Sequence, residues 1–288
     1  MPSSCCSAAS VGPSTMSSLD AALIRRSLSE NPASRLDDLE LFASIDSTNT
    51  YLLAQPAPDA GRYRVAISDF QTSGRGRHDR RWLSPPGAGL CLSQAYTFAK
   101  PAEQLPGLTL ALGLGVVGAM GQLHIDGVSL KWPNDLVALD GKLGGVLTEI
   151  QPRKGDGATV VAGIGLNIDL PERRDFDAES DWALRAVDLK SITAEHPCRE
   201  VIAAAIIETL YATMARFEQQ GFAGFADEWR RHDWLYGREI TVDMQERQIT
   251  GVAAGVDADG ALFVNTGDER VRVLSGSIVM ANIAEYGR

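Results

Sequence analysis

The residues best suited to chemistry lie in one short segment, residues 71–82, which we call the arginine loop. It combines glycine, arginine and tryptophan at close spacing: Gln71, Gly74, Arg75, Gly76, Arg77, Arg80 and Trp82. The glycines let backbone N–H groups approach a ligand closely. The guanidinium groups are planar, bidentate donors for carboxylate or phosphate, and the indole offers a flat surface for a purine or a sulfur-containing ring. The loop predicts an anion site, although alone it is equally typical of a flexible basic segment or an RNA-binding Arg/Gly module.

The charge of the whole chain favours a local anion site over general nucleic-acid binding. The 288 residues carry a formal net charge of −10, whereas nucleic-acid-binding proteins usually present a basic stripe. A content of 44% hydrophobic and 22% charged residues is ordinary for a globular protein. The four cysteines have no metal-ligand spacing, so we predict neither a metal site nor a disulfide framework, which suits a reducing cytoplasm.

Two further segments place polar groups at the ends of predicted strands. In Lys131-Trp132-Pro133-Asn134-Asp135, a lysine held by a proline turn can set one cation against developing negative charge. Lys142 follows close behind, and Gly163-Ile164-Gly165-Leu166-Asn167 combines two glycines with a side-chain amide. Taken singly, these are also an ordinary turn, a solvated surface lysine and a strand crowded by a neighbour.

The elements that must position these segments alternate between strand and helix. Strand-like patterns cover residues 39–45, 64–68, 89–97, 128–132, 135–138, 145–151 and 159–167, and helical patterns cover residues 19–28, 105–122 and 199–219. Asn31-Pro32 is predicted to end the first helix, and Asp140-Gly141 to form a hairpin turn. The apolar run 108–123 is shorter than the ~20 residues of a membrane span, so we expect a buried helix and no membrane association.

The residue pattern of the chain changes after residue 233. Residues 239–242, 249–256, 262–266 and 271–273 are short β-type runs separated by polar or glycine-containing turns, which predicts a small all-β barrel. We therefore expect an α+β protein with a disordered N-terminal segment (1–18), a main domain (19–233) and a C-terminal β-barrel (234–288). The first segment is rich in serine and alanine and has little apolar surface to bury.

The order of the motifs resembles that of the biotin protein ligases, also called biotin–[acetyl-CoA-carboxylase] ligases. The matching motifs are Asp46-Ser47-Thr48-Asn49, Gln71-Thr72-Ser73-Gly74-Arg75-Gly76-Arg77 with Arg80 and Trp82, Ser84-Pro85-Pro86-Gly87, Lys131-Trp132-Pro133-Asn134-Asp135, Gly141-Lys142-Leu143-Gly144-Gly145 and Gly163-Ile164-Gly165-Leu166-Asn167. The resemblance implies a class II synthetase-like catalytic domain, with a mixed sheet and helices, plus a C-terminal SH3-like barrel. The chain departs from the family at Asp79, which stands where a third glycine is usual.

The resemblance also implies the reaction and the roles of residues. Biotin and ATP, with Mg²⁺, would form biotinyl-5′-AMP, from which biotin passes to a lysine of a biotin carboxyl carrier protein. The expected catalytic residues are Lys131, which would contact the biotin carboxyl and the α-phosphate, and Arg77. The expected biotin-binding residues are Ser47, Thr48, Asn49, Gln71, Arg75, Gly76, Arg77 and Lys131. The expected adenylate-binding residues are Arg80, Trp82, Asn134, Lys142 and Asn167.

Several alternatives and partners follow from the same resemblance. Some family members begin with a DNA-binding domain, but only about 40 residues precede the catalytic motifs here, so we expect a cytoplasmic, monofunctional ligase that binds no DNA. A homodimer is compatible with the sequence. The competing interpretations are a lipoate– or octanoate–protein ligase of the same fold and a biotin-sensing regulator.

Overall fold

The computed structural model of the protein describes residues 17–78, 80–153, 157–171, 185–193, 195–244 and 247–281. Nearly all of the N-terminal segment predicted to be disordered lies outside these ranges, and so does Asp79 of the arginine loop.

A seven-stranded mixed sheet forms the centre of the main domain, in the order β1-β2-β3-β7-β6-β5-β4. The strands are β1 (Leu36–Phe42), β2 (Tyr63–Ser68), β3 (Gly89–Phe98), β4 (Ser129–Lys131), β5 (Asp135–Ala138), β6 (Gly141–Pro152) and β7 (Ala158–Asn167). β1 and β2 are parallel, and the other neighbouring pairs are antiparallel. β3 is buried along its whole length because it lies near the middle of the sheet with helices on both faces.

Helices cover the two faces of this sheet. They are α1 (Ala21–Ser27), α2 (Glu30–Arg35), α3 (Thr48–Ala54), α4 (Leu108–Gln122), α5 (Leu189–Ile192), α6 (Arg199–Gln220) and α7 (Ala226–His232). α4 and α6 pack on one face, in the same core as Leu92 and Tyr96 of β3. α3 packs on the other face, where Leu52 joins Ala66 and Ala95, because successive strand residues point to opposite sides of a sheet.

The C-terminal domain is a five-stranded antiparallel sheet in the order β11-β10-β9-β8-β12. Its strands are β8 (Glu239–Asp243), β9 (Gln248–Val256), β10 (Leu262–Asn265), β11 (Arg270–Val273) and β12 (Ser277–Ala281). It is tied to the main sheet at β4: Trp132 Nε1 donates to the Gly260 carbonyl at 3.1 Å, and the Trp234 N–H donates to the Leu130 carbonyl at 2.8 Å. The predicted fold class, a mixed sheet with helices followed by a small β domain, is confirmed.

The apolar run at residues 108–123 forms α4, whose largely buried side chains confirm the predicted core helix. Within the described ranges, no helix combines the length and apolarity needed to cross a membrane.

Three local predictions were wrong or incomplete. The first helix ends before Asn31-Pro32, as predicted, but these residues belong to a second helix that was not predicted; Pro32 lies in the first turn of α2, where its missing N–H has no helical partner to lose. The β5–β6 turn is centred on Leu139 and Asp140, both with positive φ, one residue earlier than predicted. The strand pattern also missed β12, which is defined by its pairing with β8 more than 30 residues earlier in the chain.

Candidate active site

A cavity of about 390 Å³ lies between the arginine loop, the main sheet and the start of β12 in the C-terminal domain. Twelve of the thirteen predicted site residues line it: Ser47, Thr48, Asn49, Gln71, Arg75, Gly76, Arg77, Arg80, Trp82, Asn134, Lys142 and Asn167. Lys131 is not among the lining residues. Four segments that are separate in sequence therefore meet around one space, together with Gly276, Ser277 and Ile278 from the smaller domain.

The parallel pairing of β1 and β2 brings the first two motifs together. Because parallel strands end at the same edge of a sheet, the residues that follow each strand become neighbours there. Ile45 forms a parallel bridge with Gln71, and Gln71 Oε1 accepts from the Thr48 backbone N–H at 2.8 Å. Ser47 caps α3 by accepting from the Thr50 N–H, so the chain enters the helix with Thr48 and Asn49 directed at the sheet.

A buried polar chain extends from this helix start across the floor of the cavity. Ser93 of β3 lies 2.6 Å from the Thr48 hydroxyl and donates to Asn49 Oδ1 at 2.5 Å. Asn49 Nδ2 donates to Glu149 Oε2 at 2.8 Å. Asn49 rests on β7 at Gly163, where an added Cβ would lie 2.3 Å from Asn49 Oδ1. The glycine therefore leaves the room that the asparagine amide occupies.

The arginine loop folds back on itself and needs glycine at its base. The Trp82 N–H donates to the Gly74 carbonyl at 2.9 Å, and the Gly76 N–H donates to the Arg80 carbonyl at 2.6 Å. A Cβ on Gly74 would lie 2.4 Å from the Trp82 carbonyl oxygen, so a larger residue would force the two arms apart. The loop is thereby held as a hairpin over the sheet.

The first two arginines of the loop have different surroundings. Arg75 forms an ion pair with Glu149 at 2.6 Å. Arg77 is half-buried and donates to the Ser275 hydroxyl at 3.5 Å, a long contact to the smaller domain. Burial lowers the pKa of Arg77, while the nearby Asp135 carboxylate acts in the opposite direction. Arg77 therefore carries its charge into a partly desolvated place, where an anionic ligand interacts more strongly than in water.

Trp82 packs directly on the strand β7. A Cβ at Gly165 would lie 2.4 Å from Trp82 Cε2, so the indole occupies the space that only a glycine leaves open. Lys142 Nζ lies 5.8 Å from the centre of the same indole. The flat ring and the ammonium group together form one wall of the cavity.

Lys142 also belongs to a group of three charged residues, which we call the lysine–aspartate cluster: Lys131, Asp135 and Lys142. Asp135 is 1% exposed, and its carboxylate lies 2.9 Å from Lys142 Nζ and 3.7 Å from Lys131 Nζ. Lys131 is fully buried, and this burial lowers its pKa to about 8, although Asp135 opposes the shift. Of the two lysines, Lys142 lines the cavity, whereas Lys131 is buried beside Asp135.

The two asparagines predicted to bind the adenylate brace the backbone around the cluster. Asn134 Nδ2 donates to the Val146 carbonyl at 2.9 Å. Asn167 Nδ2 donates to the Val187 carbonyl at 3.0 Å and to the Lys142 carbonyl at 3.3 Å. These bonds hold the strand β6 at Lys142 and at Val146, so both asparagines keep the wall in place.

No group of three or more potential metal-ligating side chains occurs in the described parts of the chain.

Comparisons with known proteins agree with this geometry. Residues 41–167 match the model of the Biotin/lipoate A/B protein ligase family, and residues 235–280 match the Biotin protein ligase C terminal domain. The biotin–[acetyl-CoA-carboxylase] ligase of Mycobacterium tuberculosis is 32% identical over 249 residues, which cover 84% of this chain and 88% of that protein. The chain belongs to the biotin protein ligase family.

Other members of the family support the same assignment. The bifunctional ligase/repressor BirA of Salmonella typhimurium is 33% identical over 236 residues, covering 80% of this chain and 71% of that protein. The biotin protein ligase of Aquifex aeolicus, solved in complex with biotin and ATP, has a TM-score of 0.70 at 27% identity. That match covers 84% of this chain and 97% of the Aquifex chain.

The site of this biotin ligase homologue contains residues that sequence reasoning missed. Ser93 lines the cavity from the buried strand β3, and Glu149 bonds both Asn49 and Arg75. The sequence carried no distinct signal for Ser93, because Gln94 and Thr97 are further polar residues in the same strand. The lining contributed by residues 276–278 had no sequence signal, because the start of β12 reaches the cavity only through the packing of the two domains.

Proposed function

We propose that this protein is an ATP-dependent biotin–protein ligase that acts in two steps within the one cavity. In the first step, a carboxylate oxygen of biotin attacks the α-phosphorus of ATP, the bond to the β-phosphate breaks, and biotinyl-5′-AMP and pyrophosphate form. In the second step, the side-chain amine of a carrier lysine attacks the acyl carbon of this mixed anhydride, and AMP leaves.

The observation that carries the proposal is the meeting of cations and a polar pocket around one space. An anionic nucleophile must approach an anionic phosphate, so positive charge has to be in place before the reaction. Arg77 and Lys142 bring this charge from two different sides of the cavity, while the α3 start brings hydroxyl and amide groups to its floor. Such groups suit the ureido ring of biotin, which has both donors and acceptors.

The proposed roles of the lysines differ from the expectation from sequence. Lys142 faces the cavity and is proposed to contact the biotin carboxyl and the α-phosphate. Lys131 is proposed to balance the Asp135 carboxylate from behind, since it is fully buried. Asp135 thus holds the Lys142 ammonium group 2.9 Å away in a fixed position.

The arginine loop is proposed to cover the adenylate. Arg77, Arg80 and Trp82 line the cavity from this loop. Closing the loop over the mixed anhydride would keep water from hydrolysing it before the carrier arrives.

Mg²⁺ is proposed to enter with ATP. Magnesium in nucleotide sites usually keeps several waters and binds the phosphates with one or two carboxylates. Asp135, which brings a carboxylate to the cavity lining, is already paired with Lys142, so the residues present fit a metal carried mainly by the triphosphate.

The direct test is incubation of the purified protein with ATP, Mg²⁺ and labelled biotin, with and without a biotin carboxyl carrier domain. Without the carrier domain, we expect ATP and biotin to yield pyrophosphate. When the domain is added, we expect its acceptor lysine to be labelled. Parallel reactions with lipoate and octanoate test the competing ligases of this fold. Transfer of lipoate or octanoate in preference to biotin would refute the proposal.

The proposed partners are the carrier domain and no nucleic acid, with the reaction in the cytoplasm. A mobility-shift experiment with DNA, biotin and ATP tests the regulatory alternative, and sedimentation with and without biotin tests for a homodimer.

A further inference from the structure

Glu149 lies at the rim of the cavity without lining it. It follows Leu147 by two positions on the strand β6, which places both side chains on the same face of the sheet. Leu147 lines the cavity, whereas Glu149 stands just beyond it, and its side chain is only 25% exposed. A partly buried carboxylate at this position needs partners.

One oxygen of Glu149 joins two parts of the site that come from different segments. Glu149 Oε2 accepts from Asn49 Nδ2 at 2.8 Å and from an Arg75 guanidinium nitrogen at 2.6 Å. Asn49 belongs to the start of α3, and Arg75 belongs to the arginine loop. The carboxylate therefore connects the polar floor of the cavity to the loop above it.

The carboxylate also orients the Asn49 amide, together with a longer contact from Asn49 Nδ2 to the Leu147 carbonyl at 3.5 Å. An ionised carboxylate can only accept, so the NH₂ group of Asn49 must face Glu149 and its Oδ1 must face Ser93. Ser93 has one hydroxyl hydrogen and donates it to Asn49 Oδ1, so the hydrogen at the 2.6 Å contact comes from the Thr48 hydroxyl. The Thr48 hydroxyl also lies 3.1 Å from Gln71 Oε1, so its single hydrogen is shared between Ser93 and Gln71, while Gln71 Oε1 accepts in addition from the Thr48 backbone N–H. Glu149 is the acceptor at the far end of this chain.

The ion pair with Glu149 gives Arg75 a different role from Arg77. The charge of Arg75 is balanced within the protein, whereas the Arg77 guanidinium has the Ser275 hydroxyl as its hydrogen-bond acceptor among the described residues. Arg75 is thus suited to holding the loop, and Arg77 is suited to holding an anion.

We propose that Glu149 is a positioning residue that couples the biotin pocket to the arginine loop. Its carboxylate holds the Asn49 amide in the orientation that biotin meets and holds Arg75 down against β6. The inference rests on the proposed function for the identity of the ligand, and it deepens that function by assigning a residue that does not itself touch the ligand.

The test uses the Glu149→Gln and Arg75→Gln variants and their double variant in the full chain. Glutamine keeps the shape of the side chain, but its amide both donates and accepts, so Asn49 is no longer confined to one orientation. We expect the biotin Kd, measured by calorimetry without ATP, to rise about ten- to a hundredfold in Glu149→Gln, as for loss of a hydrogen bond to a charged group. kcat at saturating biotin should stay within about threefold, because the groups facing the phosphate remain.

The biotin Kd of the double variant measures the coupling between Glu149 and Arg75. Because Glu149 and Arg75 share one contact, the double variant should bind biotin about as well as Glu149→Gln alone, whereas independent residues would give multiplied losses. Glu149→Asp, which keeps the charge on a shorter side chain, should bind biotin better than Glu149→Gln.

The matched control is Glu228→Gln. It breaks the Arg216–Glu228 ion pair, which has similar exposure and a 3.1 Å contact but lies outside the cavity. Biotin binding by this variant should match the wild type within about twofold.

A biotin Kd for Glu149→Gln equal to that of the control, a loss confined to kcat, or multiplied losses in the double variant would overturn the inference. Wild-type protein that neither binds biotin nor releases pyrophosphate with it would instead overturn the proposed function. The two failures are therefore distinguished by the wild-type arm.

Discussion

The arginine loop and the lysine–aspartate cluster both bring positive charge to one cavity, but they do so in opposite ways. The loop carries Arg75 and Arg77 on a hairpin whose side chains are half-buried or exposed. The cluster instead contains a fully buried Lys131 beside the nearly inaccessible Asp135. A buried charge is fixed in place by its partners, whereas an exposed loop can move to admit and cover a ligand. The contrast suggests that the cluster is preorganised for the chemical step and that the loop retains the product of that step.

The largest expected effect comes from breaking the cluster itself. Asp135→Asn leaves the buried Lys131 ammonium without its carboxylate, so the free energy of unfolding should fall by roughly 3–5 kcal/mol. Urea unfolding at pH 7 measures this change. Asp69→Asn is the comparison variant, because it removes a carboxylate from the ion pair with Arg199, whose partners retain some exposure. An equal loss in both variants would mean that burial does not distinguish the cluster.

The next effect separates the two lysines. Lys142→Met should lower kcat for pyrophosphate release by roughly 10²–10³-fold, as for the loss of one group that stabilises transition-state charge. Lys190→Met, which breaks the exposed ion pair with Asp169, is the control and should keep full activity. A stable Lys142→Met enzyme with normal adenylation would return the catalytic role to Lys131.

A smaller effect is expected in the arginine loop. It concerns the retention of biotinyl-5′-AMP, not its formation. Arg77→Gly should let biotinyl-5′-AMP escape about tenfold faster, because one charged contact to the adenylate is lost. Lysines of an added protein that has no carrier domain would then be labelled with biotin. If labelling stayed confined to the carrier, the loop would not act as a cover.

The smallest effect is a pH dependence that belongs to the cluster. Lys131, with its pKa lowered to about 8, is charged below that pH and neutral above it. Adenylation should therefore fall as pH rises through about 8, by less than roughly tenfold per pH unit, since Lys142 alone would then offset the negative charge of Asp135 at the cavity. The profile of Lys131→Arg, whose side chain stays charged, should lack this fall; an unchanged fall would assign the titration to another group.

The titration of Lys131 should also change the free energy of unfolding, but in the direction opposite to its effect on adenylation. The unfolded chain keeps the Lys131 proton up to its ordinary pKa of about 10.4, whereas the folded chain releases it near 8. The unfolded state binds more protons between these values, so this residue makes the free energy of unfolding rise with pH there. Urea unfolding of wild type and Lys131→Met at pH 7.5 and 9.5 isolates the contribution.

Much of the site could be predicted because its residue types have few other uses together. Glycines beside arginines, a Lys-Trp-Pro-Asn-Asp turn and a Gly-x-Gly strand carry their chemistry in local sequence, and the cavity assembles all three. Ser93 and Glu149 could not be found in this way. A serine within a strand and a glutamate near a strand end are common, and they acquire a role only through Asn49 and Arg75.

The sequence by itself determined the family, the α+β class and the segments that supply the site, because glycine spacing, helix caps and strand patterns are local properties of the chain. Only the tertiary structure decided that Lys142 faces the cavity while Lys131 lies behind it, and that the arginine loop is tied to Glu149. The physical reason is that burial and partnership of charges depend on contacts between distant strands. Lys131 and Lys142 both lie in short polar segments beside predicted strands, and only the packing of β4, β5 and β6 buries the first and leaves the second at the cavity.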